Sequence, residues 1–196
     1  MTRIAPLPRS KFGPSARLSD FFVRRIAGRS IDGIGVAAHV PALLRASGGM
    51  ERFFMGRRAT THRVLELVSV RTAMEVGCSF CLDFGSYLAQ ANHGVTEDEI
   101  RGLSDHAGSG LFTPAEVAAF DLAVAMSATP PHVDDALWAR AAEHFDERQL
   151  LEITAMVGWE NSRARIAHAL HLTSHGFTDG GACAVATTAR AGDAVR

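Results

Sequence analysis

The sequence predicts an all-α protein, and three observations carry that prediction. Apolar residues recur at helical spacing along most of the chain. Helix-capping motifs and glycines separate these runs, and the alternating patterns of β-strands are nearly absent. The 196 residues, 47% hydrophobic and 21% charged, are enough for one globular domain with a sizeable core. No linker or low-complexity stretch interrupts residues 30–175, so we predict a single-domain helical bundle.

Residues 1–37 are predicted to form an N-terminal arm and a short helix. The prolines within the first fourteen residues favour an arm that lies on the surface or on a neighbouring subunit. Residues 15–26 match an amphipathic helix. Its apolar side consists of Leu18, Phe21, Phe22 and Ile26. The glycines between residues 28 and 35 are expected to break the helical pattern.

The later helices follow from their capping residues. Pro41 begins a helix that Gly48-Gly49 is expected to interrupt. The next helix starts after Thr60-Thr61, ends at Gly77 and is apolar enough to be buried. The next helix is expected to run from Cys78 to Asn92. Further helices are expected after the caps at Thr96, Thr113, Asp134 or Asp135, and Asp146. Residues 176–196 are predicted to be a flexible tail.

Charge and composition exclude several classes of partner. The formal net charge of −1 gives no electrostatic reason to expect nucleic acid or an anionic membrane as a partner. The first twelve residues lack the apolar segment of a secretory signal, and no run approaches the roughly 18 apolar residues of a membrane span. We therefore expect a cytoplasmic protein, in a compartment where stable structural disulfides are uncommon.

Cys78 and Cys81 form the stretch with the clearest chemical use. Residues three apart share one helix face, and the free N–H groups at a helix start stabilise a thiolate. A thiolate attacks peroxide to give a sulfenic acid, which a neighbouring thiol converts to a disulfide. The spacing also fits two cysteines that only pack as small apolar residues, or half of a zinc site. The zinc hypothesis is disfavoured because the chain has no second pair of this spacing.

Glu66 is an acid within an apolar helix. Burial would raise its pKa and suit it to accept a proton. The alternative is a structural carboxylate paired with an arginine such as Arg71. A histidine series at helical spacing invites a metal hypothesis, but a solvated or intersubunit face is the better interpretation because no carboxylate joins it at matching spacing. That series is His168, His171 and His175.

Several of these residues together resemble the carboxymuconolactone decarboxylase-like superfamily. The resemblance rests on Glu66, the Cys78-Ser-Phe-Cys81 motif, Ala89, and the run G-V-T-E-D-E-I from Gly94. Weaker support comes from V-P-A-L-L, starting at residue 40, and W-E-N-S-R, starting at residue 159. The glutamate with the cysteine pair is similar to the alkylhydroperoxidase D-like branch, and the resemblance covers about residues 38–175.

The resemblance implies an all-helical subunit that assembles into a homo-oligomer, such as a trimer or hexamer. It implies reduction of a peroxide substrate, with Cys81 as the peroxidatic thiol, Cys78 as the resolving thiol and Glu66 as the proton acceptor or relay. No cofactor and no metal are implied, but an external thiol or dithiol reductant is required. The helix-dipole argument alone favours Cys78 as the more acidic thiol.

The sequence departs from the peroxidase members of this family at Phe80 and Gly85. Those members carry histidines at both positions, so the imidazoles of the expected proton relay are missing. The departure favours, as the alternative, a non-catalytic oligomeric binding protein on the same scaffold. A lactone decarboxylase is a weaker alternative, because the residues that would bind a lactone cannot be placed in this sequence.

Overall fold

The computed structural model describes residues 2–178, and every regular element in that part of the chain is helical. The α-helices are α1 Pro14–Ala27, α2 Asp32–Ala37, α3 Pro41–Met55, α4 His62–Val76, α5 Ser79–His93, α6 Glu97–Gly102, α7 Pro114–Ser127, α8 Asp135–Ala142 and α9 Glu147–Ala169. The all-α prediction is thereby confirmed. Most of the predicted tail, with Cys183, lies outside the described residues.

The described chain forms two compact units. Residues 2–57 and 167–173 make up the first, and residues 58–166 and 174–178 the second. The core of the first unit consists of Phe12, Ala16, Ile34, Ala38 and Leu44. The N-terminal arm is held within this unit, where Leu7 N donates to Gly35 O at 3.0 Å.

Three expectations for the first unit are corrected. The apolar side predicted for α1 is exposed, and the helix instead buries Ala16 and Asp20, whose carboxylate pairs with Arg9. The glycine-rich stretch after α1 contains the additional helix α2. The Gly48-Gly49 pair does not interrupt α3, because both glycines are helical and the burial of Leu44 and Phe54 anchors the helix on either side of them.

Helix α4 is the central element of the second unit. Nine of its residues are buried, and it packs against α5 and α7. Thr61 caps its start by accepting from Val64 N, and Gly77 ends it with a φ of 75°, in the left-handed region that favours glycine. The predicted burial and both predicted ends are therefore confirmed. Because α5 begins directly after Gly77, the cysteine motif lies against a buried helix.

Arg63 on α4 joins the starts of two further helices. Its guanidinium donates to Glu99 and to Glu116 Oε1, the latter at 2.9 Å. Each glutamate also closes the capping box of its own helix, with Thr96 on α6 and Thr113 on α7, as predicted. One cation thus neutralises two acids that each hold a helix end.

Replacing Arg63 with methionine is expected to lower the free energy of unfolding by about 2 kcal/mol, because two poorly solvated carboxylates would lose their shared cation. Urea denaturation measures this loss. The matched control is Arg101→Met, which removes an exposed cation that pairs with Glu97 and Asp98 of the same helix. That change is expected to cost less than about 0.5 kcal/mol. Equal losses in the two variants would contradict the proposed role of Arg63.

No helix in the described part of the chain has both the length and the apolar character needed to cross a bilayer.

Candidate functional site

The two cysteines of the motif lie at the first turn of α5. Cys78 is the N-cap residue, and its Sγ accepts a hydrogen bond from Cys81 N at 3.2 Å. Both thiols are free. Cys78 is only 1% exposed, whereas Cys81 is half-buried. Cys81 is therefore the more accessible of the two thiols, with Cys78 beneath it.

The two thiols differ in acidity. A hydrogen bond from the Cys81 side chain lowers the pKa of the Cys78 thiol, and this effect outweighs burial. The same bond, together with burial and the charge of Glu160, raises the pKa of the Cys81 thiol. The more acidic thiol is thus Cys78, as the helix-dipole argument predicts. The accessible thiol needs to lose a proton before it can attack.

Glu160 on α9 is a buried acid of the second unit. It is 2% exposed, and its Oε2 accepts from Ser69 Oγ at 3.0 Å and from Arg163. Its Oε1 is also buried and has no hydrogen-bond partner among the described residues. The charge of Glu160 raises the pKa of both thiols, while the charge of Arg163 lowers that of Cys81.

Glu66, the acid predicted to handle protons, is half-buried on α4, one turn before Ser69. Its role stays a prediction. Arg71, offered as its structural partner, pairs with Glu75 through an NH1–Oε2 contact of 2.9 Å. Sequence reasoning singled out the stretch from Trp159 to Arg163 but missed its acid, Glu160. The available signal was a glutamate within an otherwise well-packed helix, the same signal that pointed to Glu66.

An aromatic cluster borders the accessible thiol. Phe80, Phe84 and Tyr87 follow one another at helical spacing on α5, and His175 and Phe177 pack against them. The ring centroids are 6.2 Å apart for Phe80–Phe84, 5.8 Å for Phe80–His175, 5.2 Å for Phe84–Phe177 and 5.5 Å for Tyr87–Phe177. All five side chains are half-buried. Because Cys81 precedes Phe84 by one helical turn, this cluster flanks the thiol on α5.

Phe80 stands where a histidine was expected and contributes a phenyl ring to the cluster. An imidazole is nevertheless present, because His175 contacts Phe80 from the segment after α9. Helix α9 ends at Ala169 and His171 has a φ of 56°, so the three late histidines do not share one helix face as predicted. His175 instead packs edge-on against Phe80. Among the described residues, no group of three or more His, Cys, Asp or Glu side chains is placed to hold a metal ion.

Gly85 lies where α5 approaches α4. A Cβ atom at this position would lie 3.4 Å from Val70 Cγ2. The position of the second expected imidazole therefore faces Val70 of α4 at ordinary van der Waals distance.

Asp83 fixes the segment 174–178 to α5. Its Oδ2 accepts from His175 N, and its Oδ1 accepts from the backbone N–H groups of Phe177 and Thr178, each at 2.8 Å. Burial raises the pKa of this carboxyl, but the hydrogen bonds outweigh burial and hold the pKa below its usual value. One buried carboxylate thus positions two members of the aromatic cluster.

The chain is similar in sequence to several known proteins. The family model described as the carboxymuconolactone decarboxylase family matches residues 38–125. YnjA of Escherichia coli (strain K12) is 40% identical over 114 residues, which are 58% of this chain and 62% of YnjA. YdfG of Bacillus subtilis (strain 168) is 32% identical over 106 residues, which are 54% of this chain and 71% of YdfG. The chain therefore spans less than two thirds of the length of YnjA.

Two solved structures share the fold. The debrominase Bmp8 superposes with a TM-score of 0.84 at 20% identity, covering 94% of this chain and 98% of Bmp8. An alkylhydroperoxidase AhpD core, from a peroxidase-related protein of Ralstonia eutropha JMP134, gives a TM-score of 0.80 at 18% identity. That alignment covers 92% of this chain and 96% of the Ralstonia chain. The likeness establishes the alkylhydroperoxidase D-like fold predicted from the sequence.

Proposed function

Because the chain belongs to the carboxymuconolactone decarboxylase family and holds two free thiols at one helix start, we propose that it is a thiol-dependent peroxide reductase. The observation that carries the proposal is the contact between Cys81 N and Cys78 Sγ, which joins an accessible thiol to a buried one. A pair of this kind is suited to form a reversible disulfide.

The proposed reaction has two chemical steps. Cys81 attacks a peroxide oxygen, which breaks the O–O bond and leaves a sulfenic acid and an alcohol or water. Cys78 then attacks the sulfenic sulfur, forming the disulfide and releasing water. An external dithiol reduces the disulfide and restores both thiols. In total, one peroxide and two thiol hydrogens give an alcohol, water and a disulfide.

The test is consumption of cumene hydroperoxide by the purified full chain with dithiothreitol as the reductant. We expect sustained consumption above the reductant-only rate, with reversible loss of two of the three thiols of the chain. The double variant C78S/C81S should show only the background rate. Consumption that is unchanged in the double variant would overturn the proposal. Inert thiols would favour the non-catalytic binding protein, and turnover of a muconolactone without the cysteines would favour the decarboxylase.

The aromatic cluster favours a second candidate, in which the same thiol pair reduces a halogenated aromatic compound. The supporting observation is the apolar surface beside Cys81, and the structurally similar Bmp8 is a debrominase. In the balanced reaction, an aryl C–Br bond becomes C–H while two thiols become a disulfide and HBr is released. The same assay with 2,3,4-tribromopyrrole separates the two candidates. Bromide release without peroxide consumption would select dehalogenation.

A further inference from the structure

The positive charge of this chain is concentrated in its first unit. The first 57 residues contain ten Lys and Arg but only three Asp and Glu, a formal charge of +7, whereas residues 58–196 carry −8. The net charge of −1, from which no anionic partner was expected, therefore averages two parts of opposite sign. We propose that, whatever reaction the cysteine pair performs, helix α1 docks the protein peripherally on an anionic lipid surface.

The exposed side of α1 is apolar. Leu18, Phe21, Phe22 and Ile26 follow one another at helical spacing and are 38% to 61% exposed. Large apolar side chains that share one exposed helix face are unfavourably hydrated, and such a patch marks an interaction surface. An amphipathic helix that lies in the plane of a bilayer places a face of this kind among the acyl chains.

The same helix carries arginines that lack an acidic partner. Arg17, Arg24 and Arg25 are exposed and form no ion pair within the described residues. The one acid of the helix, Asp20, is buried and already pairs with Arg9 through an Nε–Oδ2 contact of 2.8 Å. Arginines close to an anionic bilayer are attracted to the lipid phosphates, and their long side chains reach the headgroups while their stems lie on the apolar surface.

A groove beside α1 has room for a lipid headgroup. Its volume is about 530 Å³, and its lining includes Arg9, Arg17, Arg24, Phe12, Phe21 and the paired Asp20. Guanidinium groups bind phosphate through charge-assisted hydrogen bonds. Because Phe21 belongs both to this groove and to the apolar side of α1, a phosphate in the groove would have its acyl chains beside that apolar side.

A second copy of this chain and a nucleic acid match the surface less well. A contact between α1 and its copy would bring the arginines of two helices to one interface, with no exposed acid on either helix to pair with them. A nucleic acid would neutralise the arginines but would leave the four apolar side chains uncovered. An anionic bilayer satisfies both parts of the surface.

Co-sedimentation of the purified full chain with lipid vesicles tests the proposal. We expect binding to vesicles of equimolar phosphatidylcholine and phosphatidylglycerol, which weakens as the salt concentration rises, and no binding to phosphatidylcholine alone. The double variant Arg17→Gln/Arg24→Gln should weaken binding by about 30-fold, since each arginine contributes to attraction by anionic lipid. Phe21→Ser/Phe22→Ser should weaken it by about 10-fold or more.

Matched controls come from exposed residues of the second unit. Arg101→Gln/Arg140→Gln removes two exposed cations, and Trp138→Ser/Leu151→Ser removes two exposed apolar side chains. Both should bind the anionic vesicles as the wild-type protein does. Circular dichroism checks that all four double variants keep the helical fold.

Absence of binding to anionic vesicles, equal binding to neutral ones, or binding unchanged in both α1 variants would overturn the proposal. Analytical ultracentrifugation identifies the alternative occupant. An oligomer that Phe21→Ser/Phe22→Ser dissociates, without vesicle binding, would assign this face to a second copy. Binding of duplex DNA in place of vesicles would assign it to a nucleic acid. Since no readout involves peroxide, each of these failures leaves the peroxide reductase standing.

Discussion

Replacing Cys81 with serine should abolish peroxide reduction, with a loss of roughly 10³-fold or more in turnover. A serine hydroxyl at this position stays protonated and is a far weaker nucleophile towards peroxide than a thiolate. We expect Cys81 to attack because a peroxide can reach it more easily: Cys81 is half-buried, whereas Cys78 is only 1% exposed. Steady-state consumption of cumene hydroperoxide measures the loss.

The partner variant Cys78→Ser should behave differently. The first chemical step should survive, so in the absence of an external thiol each chain should consume one peroxide and then stop with a sulfenic acid on Cys81. Intact mass spectrometry detects the added oxygen. Cys183→Ser, a change outside the described residues, is the control for removal of a thiol and should keep full turnover.

Cys78 is the more acidic thiol and Cys81 the more accessible one, so the two properties favour different residues as the thiol that attacks the peroxide. The two variants decide which residue it is. The lowered pKa of Cys78 favours this residue as the more readily ionised thiol of the pair. If acidity governs attack, Cys78→Ser would abolish the first step, and Cys81→Ser without an external thiol would stop after one equivalent. That reversed pattern would contradict the assignment of Cys81 as the peroxidatic thiol.

Asp83→Asn should release the segment 174–178 from α5. The carboxylate is 1% exposed and accepts three backbone N–H groups, whereas an asparagine at this position would present its own N–H groups to these donors. We expect a loss of about 2–3 kcal/mol in the free energy that holds the segment, from charge-assisted hydrogen bonds. Hydrogen exchange at the amides of His175, Phe177 and Thr178 measures the release.

The same contact predicts a dependence on pH in the wild-type protein. Because the pKa of Asp83 in the folded protein lies below its unfolded value, the unfolded chain binds this proton first as the pH falls. The stabilisation is complete above the unfolded pKa of about 3.9 and is lost as the pH falls through the lower folded value. Protection of the three amides should persist at pH 5 and decline only in stronger acid.

Asp98→Asn is the control for the Asp83 variant, since Asp98 is exposed and pairs only with Arg101 of its own helix among the contacts described above. It should leave the protection of the segment 174–178 unchanged. Full protection of these amides in Asp83→Asn would show that the aromatic contacts of His175 and Phe177 suffice to hold the segment.

The features that could be predicted from the sequence are those encoded by neighbours along the chain. Thr96 with Glu99 and Thr113 with Glu116 form capping boxes because their hydrogen bonds span only three residues. Gly77 ends α4 because few other residues adopt its φ of 75°. The cysteine motif was placed at the start of α5 by the same local chemistry.

The features that escaped prediction depend on contacts between distant residues. A pattern shows that α1 has an apolar side, but whether the core covers that side depends on the packing of the unit. The Gly48-Gly49 pair costs about 1 kcal/mol per residue in a helix, which is less than the packing around it supplies. Glu160 comes from α9 and His175 from the segment after it, so no spacing in the sequence relates either to Cys81.

The hydrogen bond that caps α5 links the oxidation state of the cysteine pair to the folding of that helix. A sulfur within a disulfide carries no negative charge, so Cys78 Sγ accepts the Cys81 N–H less strongly after oxidation. The cap therefore stabilises the reduced protein more than the oxidised one. An N-cap worth about 1 kcal/mol corresponds to roughly 20 mV in a two-electron reduction potential. The cap at the start of α5 thus makes the disulfide a stronger oxidant than the same disulfide in an unfolded segment.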